Sequence, residues 1–242
     1  RMVCAAVAQQ DGLEPCRMEM DRTGVIYTVD TLKILHEMYP RADFYYIIGA
    51  DTLLDLKNWR HYEQVLGMCS FLICPRLGAS QPAEVTEERH RMTAMGGSFS
   101  TVDMDVVDVS STQVRRELSQ GRPTPGLPVV CREYAGLCGL YGLRPRLNRP
   151  QAWLEKLFRD LTAKRFSHTL AVAHTARHLA NLHGVDAHKA EEAAVLHDCA
   201  KCLPVKEMQR ICRQQHLTED EQVLSSGALM HSLVGAYLAA EE

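Results

Sequence analysis

Up to about Tyr141 short apolar runs alternate with stretches of helical spacing; from Gln151 onward the strand-like runs stop, and Ala, Leu and Val recur at helical intervals to the end. This change of period constrains the fold most, because a helix-period pattern does not settle as a strand, nor the reverse. The first part predicts helices over residues 28–39, 58–66, 86–95 and 112–118, and strands over 44–48, 70–74 and 101–107. Strands alternating with helices build a parallel sheet in an α/β, Rossmann-like layer fold, whose ligands gather at the carboxyl ends of the strands. The second part predicts four or five helices and an all-α domain. Between them, Gly142-Leu-Arg-Pro-Arg-Leu-Asn-Arg-Pro150 lacks periodicity and holds two prolines, which suits a linker. The expected division is therefore 1–142, a linker over 143–150, and 151–242. Histidine usage shifts at the same place: eight of the eleven fall at or after His168.

Hydrophobic residues at 46% and charged residues at 24% are the composition of a globular domain, and no apolar run approaches the roughly 20 residues that cross a bilayer. The expectation is a cytoplasmic protein without a membrane partner. A net charge of −3 supplies no basic surplus to track a nucleic-acid backbone, so nucleotide ligands are expected to be small. Nine scattered cysteines with no signal peptide suit reduced thiols. Cys199 and Cys202 form one C-x-x-C, open to redox or zinc chemistry or to plain structural filling. The chain opens and closes inside amphipathic stretches, 1–7 and 233–242, so further residues are expected at both ends.

Three turns of the first part suit anion binding. Thr28 reads as the N-cap of a helix with Asp30 in its first turn; it either only caps, or presents free amides to a carboxylate or phosphate. Gly49 and Asp51 follow a buried parallel strand, where Gly permits close backbone approach and Asp accepts from a ribose hydroxyl, unless both serve an ordinary turn. Trp59 fills core or offers a stacking face. Ser110, Ser111 and Thr112 open the last helix with Arg115 one turn on, a polyphosphate clamp with more hydroxyls than a cap requires.

In the second part, at 100° per residue, His168 shares a face with Val172, Thr175, Leu179 and Leu182 and is expected to point inward. His174 and His178 fall on a polar flank and are expected to be solvated. His197 shares a face with small alanines and precedes Asp198; an imidazole beside a carboxylate suits iron, manganese or zinc, or else is a satisfied core pair.

Taken in order, Y-T-V-D-T-L, I-I-G-A-D-T-L-L-D-L-K-N-W and S-S-T-Q-V-R-R-E-L resemble the nicotinate-nucleotide adenylyltransferase family across residues 1–141, including the closing helix at 127–135 and the ending at 138–141. The resemblance implies transfer of AMP from ATP, with Mg2+, to nicotinate mononucleotide. Thr28 amides would take the nicotinate carboxylate and Trp59 would stack on its ring. Gly49 and Asp51 would contact the nucleotide; Ser110, Ser111, Thr112 and Arg115 would hold ATP phosphates. The family's opening G-G-x-F-x-P-x-H-x-G-H segment has no counterpart here, so these 242 residues alone are expected to lack transferase activity.

H-T-L-A-V-A-H-T-A, A-V-L-H-D-C-A-K-C-L-P and M-H-S-L-V-G-A-Y-L resemble the HD superfamily of metal-dependent phosphohydrolases, most closely the group that cleaves diadenosine tetraphosphate symmetrically to ADP. The resemblance implies a metal, iron foremost, held by His168, His197, Asp198 and His231. His197, Asp198 and Lys201 would serve catalysis, while Arg165 would contact a phosphate or is an ordinary surface charge. The dinucleoside polyphosphate joins ATP and nicotinate mononucleotide as an expected partner. Two alternatives are a helical half that binds metal and nucleotide without turnover, and an adenylyltransferase half with another acceptor.

Overall fold

The computed structural model describes residues 1–75, 82–105, 109–147 and 150–241. They form two compact units: Cys16–Val109, and Arg1–Pro15 together with Ser110–Glu242. The N-terminal helix α1 (Met2–Val7) belongs to the second unit.

The first unit runs α2 (Thr28–Met38), β1 (Tyr45–Gly49), α3 (Ala50–Asp55), a 3-10 turn (Leu56–Asn58), α4 (Tyr62–Leu66), β2 (Ser70–Cys74), α5 (Pro82–Ala94) and β3 (Ser98–Thr101). All three strands are parallel in the order β1-β2-β3, with Ile48 opposite Ile73 and Phe71 opposite Phe99. Phe71 stacks on Phe99 at 5.0 Å between centroids, and Leu53, Leu56, Val65 and Met92 close the core beside them. The α/β expectation holds, with two corrections. The helix expected at 58–66 is a 3-10 turn followed by a short α4, since His61 takes the left-handed conformation (φ 53°) and interrupts the helix. The third strand begins at Ser98 instead of 101: Gly96 (φ +99°) ends α5, and the partners offered by β2 start at Ser70. Residues 102–105 carry no strand, and the expected strand positions 106–107 lie outside the described residues.

The second unit continues with α6 (Ser111–Ser119), α7 (Val129–Cys138), α8 (Pro150–Asp160), α9 (Ala163–His183), α10 (Ala187–Leu196), α11 (Val205–Gln214), α12 (Glu221–Ser225) and α13 (Gly227–Glu241). It is helical, with six α-helices after residue 149 among the described residues where four or five were expected. Thr162 caps α9 by accepting the Arg165 amide, and Asp186 caps α10 by accepting those of His188 and Lys189. Helix α9 buries Phe166, Leu170 and Ala173 against Leu154, Leu157 and Val195. Tyr134 and Leu137 of α7 join the same core, so residues 110–142 pack with the helical part, and the compact units do not follow the division read from the change of period.

Candidate functional site

A second, smaller core of Ala200, Met208, Cys212, Leu224, Met230 and Val234 fixes the end of α10 relative to α13. Just past α10 comes His197, then Asp198, then a 3-10 turn (Cys199–Cys202) that carries Lys201. Met230 and Val234 hold the inner face of α13 and bring His231 toward the same point.

Asp198 is the centre of this arrangement and is 3% exposed. Arg165 Nη1 donates to its Oδ2 at 2.7 Å, and Lys201 Nζ lies 3.4 Å from Oδ1. His197 Nε2 is 3.5 Å from Oδ2 and His231 Nε2 is 3.6 Å from Oδ1. The His168 and His197 rings meet edge to face at 5.5 Å. One donor atom from each of His168, His197 and Asp198 lies within 4.8 Å of the others. Burial pushes the Asp198 carboxyl up, but the His197, Arg165 and Lys201 charges and the Arg165 hydrogen bond outweigh it and hold the group below its ordinary value.

These residues fit a divalent metal. The Ala194 carbonyl accepts from His197 Nδ1 at 2.6 Å, which fixes the tautomer and leaves Nε2 as the ligating lone pair. Among the described residues, His231 Nδ1 is buried without a hydrogen-bond partner. Imidazole nitrogens with one carboxylate are the donor set of borderline metals such as iron, manganese and zinc.

One expectation is corrected here. His168 is exposed, and its face of α9 is the outer one, with Leu179 and Leu182 47% and 69% exposed. The inward stripe is that of Phe166, Leu170 and Ala173; the apolar Leu residues beside His168 misled the face assignment. Instead of entering the core, His168 lines a cavity of about 380 Å³ with Gln9, Thr162, Lys164 and Arg165. Lys164 and Gln9 carry no motif in the sequence; the adjacent basic residues Lys164 and Arg165 are the one signal that could have pointed to this cavity. His174 is not simply solvated: its Nδ1 lies 3.1 Å from Glu133 Oε2, a partner 41 residues away that no helical wheel reveals. His178 is exposed as expected.

The nucleotide-binding candidates fall into different units: Thr28, Gly49, Asp51 and Trp59 in the sheet unit, Ser110, Ser111, Thr112 and Arg115 in the helical one. Tyr27, not Thr28, is the N-cap of α2, and it makes no side-chain cap bond; Thr28 is the first helical residue. Arg60 lies over the Tyr27 ring at 4.5 Å, a cation beside the start of α2 that sequence spacing did not reveal. Gly49 ends β1 and caps α3, and the Asp51 carboxylate folds back over it where a Cβ would stand. Trp59 is half-buried, edge-on to Tyr46 at 5.6 Å, so its ring both packs on the core and keeps an open part. Ser110 Oγ accepts the Gln113 amide at 3.1 Å, Arg115 Nη1 reaches Ser111 Oγ at 3.5 Å, and Thr112 is exposed.

Cys199 and Cys202 remain thiols, with burial pushing both above the ordinary thiol value, and all cysteines are free. No helix among the described residues is long and apolar enough to cross a membrane.

The described residues combine a parallel α/β unit with a helical unit that holds a His-His-Asp cluster, and residues 165–242 match the HD domain family. The probable nicotinate-nucleotide adenylyltransferase of Desulfitobacterium hafniense (strain Y51) is 36% identical over 142 residues, covering 58% of this chain and 68% of that protein. That of Shewanella sp. (strain W3-18-1) is 32% identical over 158 residues, covering 58% and 74%. The solved Plasmodium falciparum nicotinic acid mononucleotide adenylyltransferase, complexed with APC, is 18% identical over 50% of this chain and 61% of its own, with a TM-score of 0.41. The chain belongs, through its N-terminal part, to the nicotinate-nucleotide adenylyltransferase family, and it carries an HD domain after it.

Proposed function

We propose that the protein joins two activities of nucleotide metabolism: adenylylation of nicotinate mononucleotide by ATP in its first part, and metal-dependent symmetrical hydrolysis of a dinucleoside tetraphosphate to two nucleoside diphosphates in its HD domain. Family membership supports the first. The observation that carries the second is the convergence of His168, His197, Asp198 and His231 beside a cavity lined by Lys164 and Arg165.

In the first part, alignment and charge stabilisation suffice for a direct transfer. The start of α2 at Thr28 offers amides to the nicotinate carboxylate, and Trp59 stacks on the ring. Gly49 and Asp51 contact the nucleotide, while Ser110, Ser111, Thr112 and Arg115 hold ATP phosphates with Mg2+.

His168, His197, Asp198 and His231 would hold a metal, iron foremost, in the HD domain, and it would supply a lowered pKa for water and charge neutralisation for the phosphates. His197 is oriented by the Ala194 carbonyl. Arg165 and Lys164 receive the phosphate chain from the cavity, and Lys201, on Asp198, offsets the charge that develops on a leaving diphosphate. Incubation of the iron- or manganese-loaded protein with diadenosine tetraphosphate tests the reading. ADP as the sole nucleotide product is expected; ATP with AMP, or no product, contradicts it.

A further inference from the structure

The helical unit holds a second cavity, of about 310 Å³, that shares no lining residue with the one at Arg165 and His168. Arg122, Arg132, Arg144, Arg146 and Arg177 stand in its wall, and Glu133 is the one carboxylate among its lining residues. In a chain of net charge −3, five guanidiniums around one small space are a local inversion of charge.

Two of the five are neutralised from below. Arg146 pairs with Glu133 and, at 3.2 Å, with Glu191; Arg177 Nη1 meets Glu191 Oε2 at 3.2 Å. Both carboxylates are buried, so two acids balance two bases. Gly136 admits this packing, because a Cβ there would stand 2.8 Å from Arg146 Nη2. Even so, Arg146 Nε is buried without a hydrogen-bond acceptor among the described residues. Arg122 lies 3.7 Å from Glu117 and is largely exposed. Arg132, half-buried, and Arg144 have no acidic partner among the described residues.

We propose that this cavity binds a small molecule carrying two or more linked phosphates. Guanidinium groups present paired donors that match phosphate oxygens, and a half-buried guanidinium without a counter-ion gains most from one. Positive groups arrive from the segment after α6, from α7, from residues 143–146 and from α9, which suits a chain of phosphates better than a single anion. The volume is that of a small-ligand pocket, and Leu118 and Leu143 supply apolar wall. The site does not depend on either activity proposed above.

Calorimetric titration of the whole chain with inorganic tripolyphosphate, in EDTA so that no metal bridges it to the HD cluster, tests this. The parent binds, Arg132→Gln combined with Arg144→Gln weakens binding by about tenfold or more, and the same loss appears when both are introduced into Arg165→Gln, where the phosphate contact of the other cavity is already removed. Should the double variant misfold, Arg144→Gln alone, at an exposed position, weakens binding about threefold. Absence of binding by the parent, equal affinity in the Arg132 and Arg144 variants, or loss confined to Arg165→Gln overturns the proposal. Citrate binding as tightly as tripolyphosphate overturns the assignment to phosphates.

Discussion

Arg165 Nη1 donates to Asp198 Oδ2 at 2.7 Å, joining the first turn of α9 to the residue after His197 across 33 positions of sequence. The same carboxylate faces Lys201, His197 and His231, so a single buried acid gathers charge from three helical segments. Burying such a group unpaired costs several kcal/mol, roughly, and the surrounding cations repay it. A group set this way is a structural tie and a metal-ligand candidate at once.

That tie gives a pH dependence with a defined sign. The folded Asp198 titrates below its ordinary value of 3.8, so its contribution to stability is present above that value and lost as pH falls through the lower, folded one. Urea unfolding of the parent and Asp198→Asn, both in EDTA, should show the parent more stable near neutrality and the gap closing below pH 3.8. A gap that widens on acidification would reverse the assignment.

Phe166 is fully buried between Arg165 and Ser167 and meets Tyr134 and Phe158 edge to face. Phe166→Ala should cost about 3–5 kcal/mol, read as a lower urea midpoint of the helical unit. It should also weaken metal retention, because the first two turns of α9 carry Arg165 and His168. An unchanged midpoint would mean that the turn is held by something else.

Gly139 follows α7 with φ +67°, and a Cβ there would stand 2.6 Å from Pro145 Cδ and Cγ. Gly139→Ala should lose about 1–2 kcal/mol from the left-handed conformation alone, with more from the clash. Thermal melting of the two proteins under identical conditions provides the check; equal melting temperatures would remove the cost.

Trp59 sits half-buried on Tyr46. Trp59→Ala should raise the dissociation constant for nicotinate mononucleotide about tenfold, the worth of one stacked ring. Titration by calorimetry would return the residue to a purely packing role if the constant stayed the same.

The parallel sheet was legible because short apolar runs at 44–48 and 70–74 alternate with helical spacing, and β2 falls where that pattern put it. What the sequence concealed were effects of distant partners. The start of β3 was set by the register of β2, and the environment of His174 by Glu133 on α7. The outward face of His168 was hidden for another reason: apolar residues of α9 at 179 and 182 stay exposed, so hydrophobicity alone pointed the wrong way. Residues 110–142 read as the end of the sheet part because of their motif, yet Tyr134 and Leu137 pack with Phe166 and Leu170.

Metal analysis of the purified protein beside His197→Ala bears most directly on the account. His197 offers Nε2 to the cluster while Ala194 holds its other nitrogen, so the parent should retain a bound divalent ion through gel filtration and the variant should not. Equal metal content in the two proteins, or none in a parent supplied with iron or manganese, would contradict it.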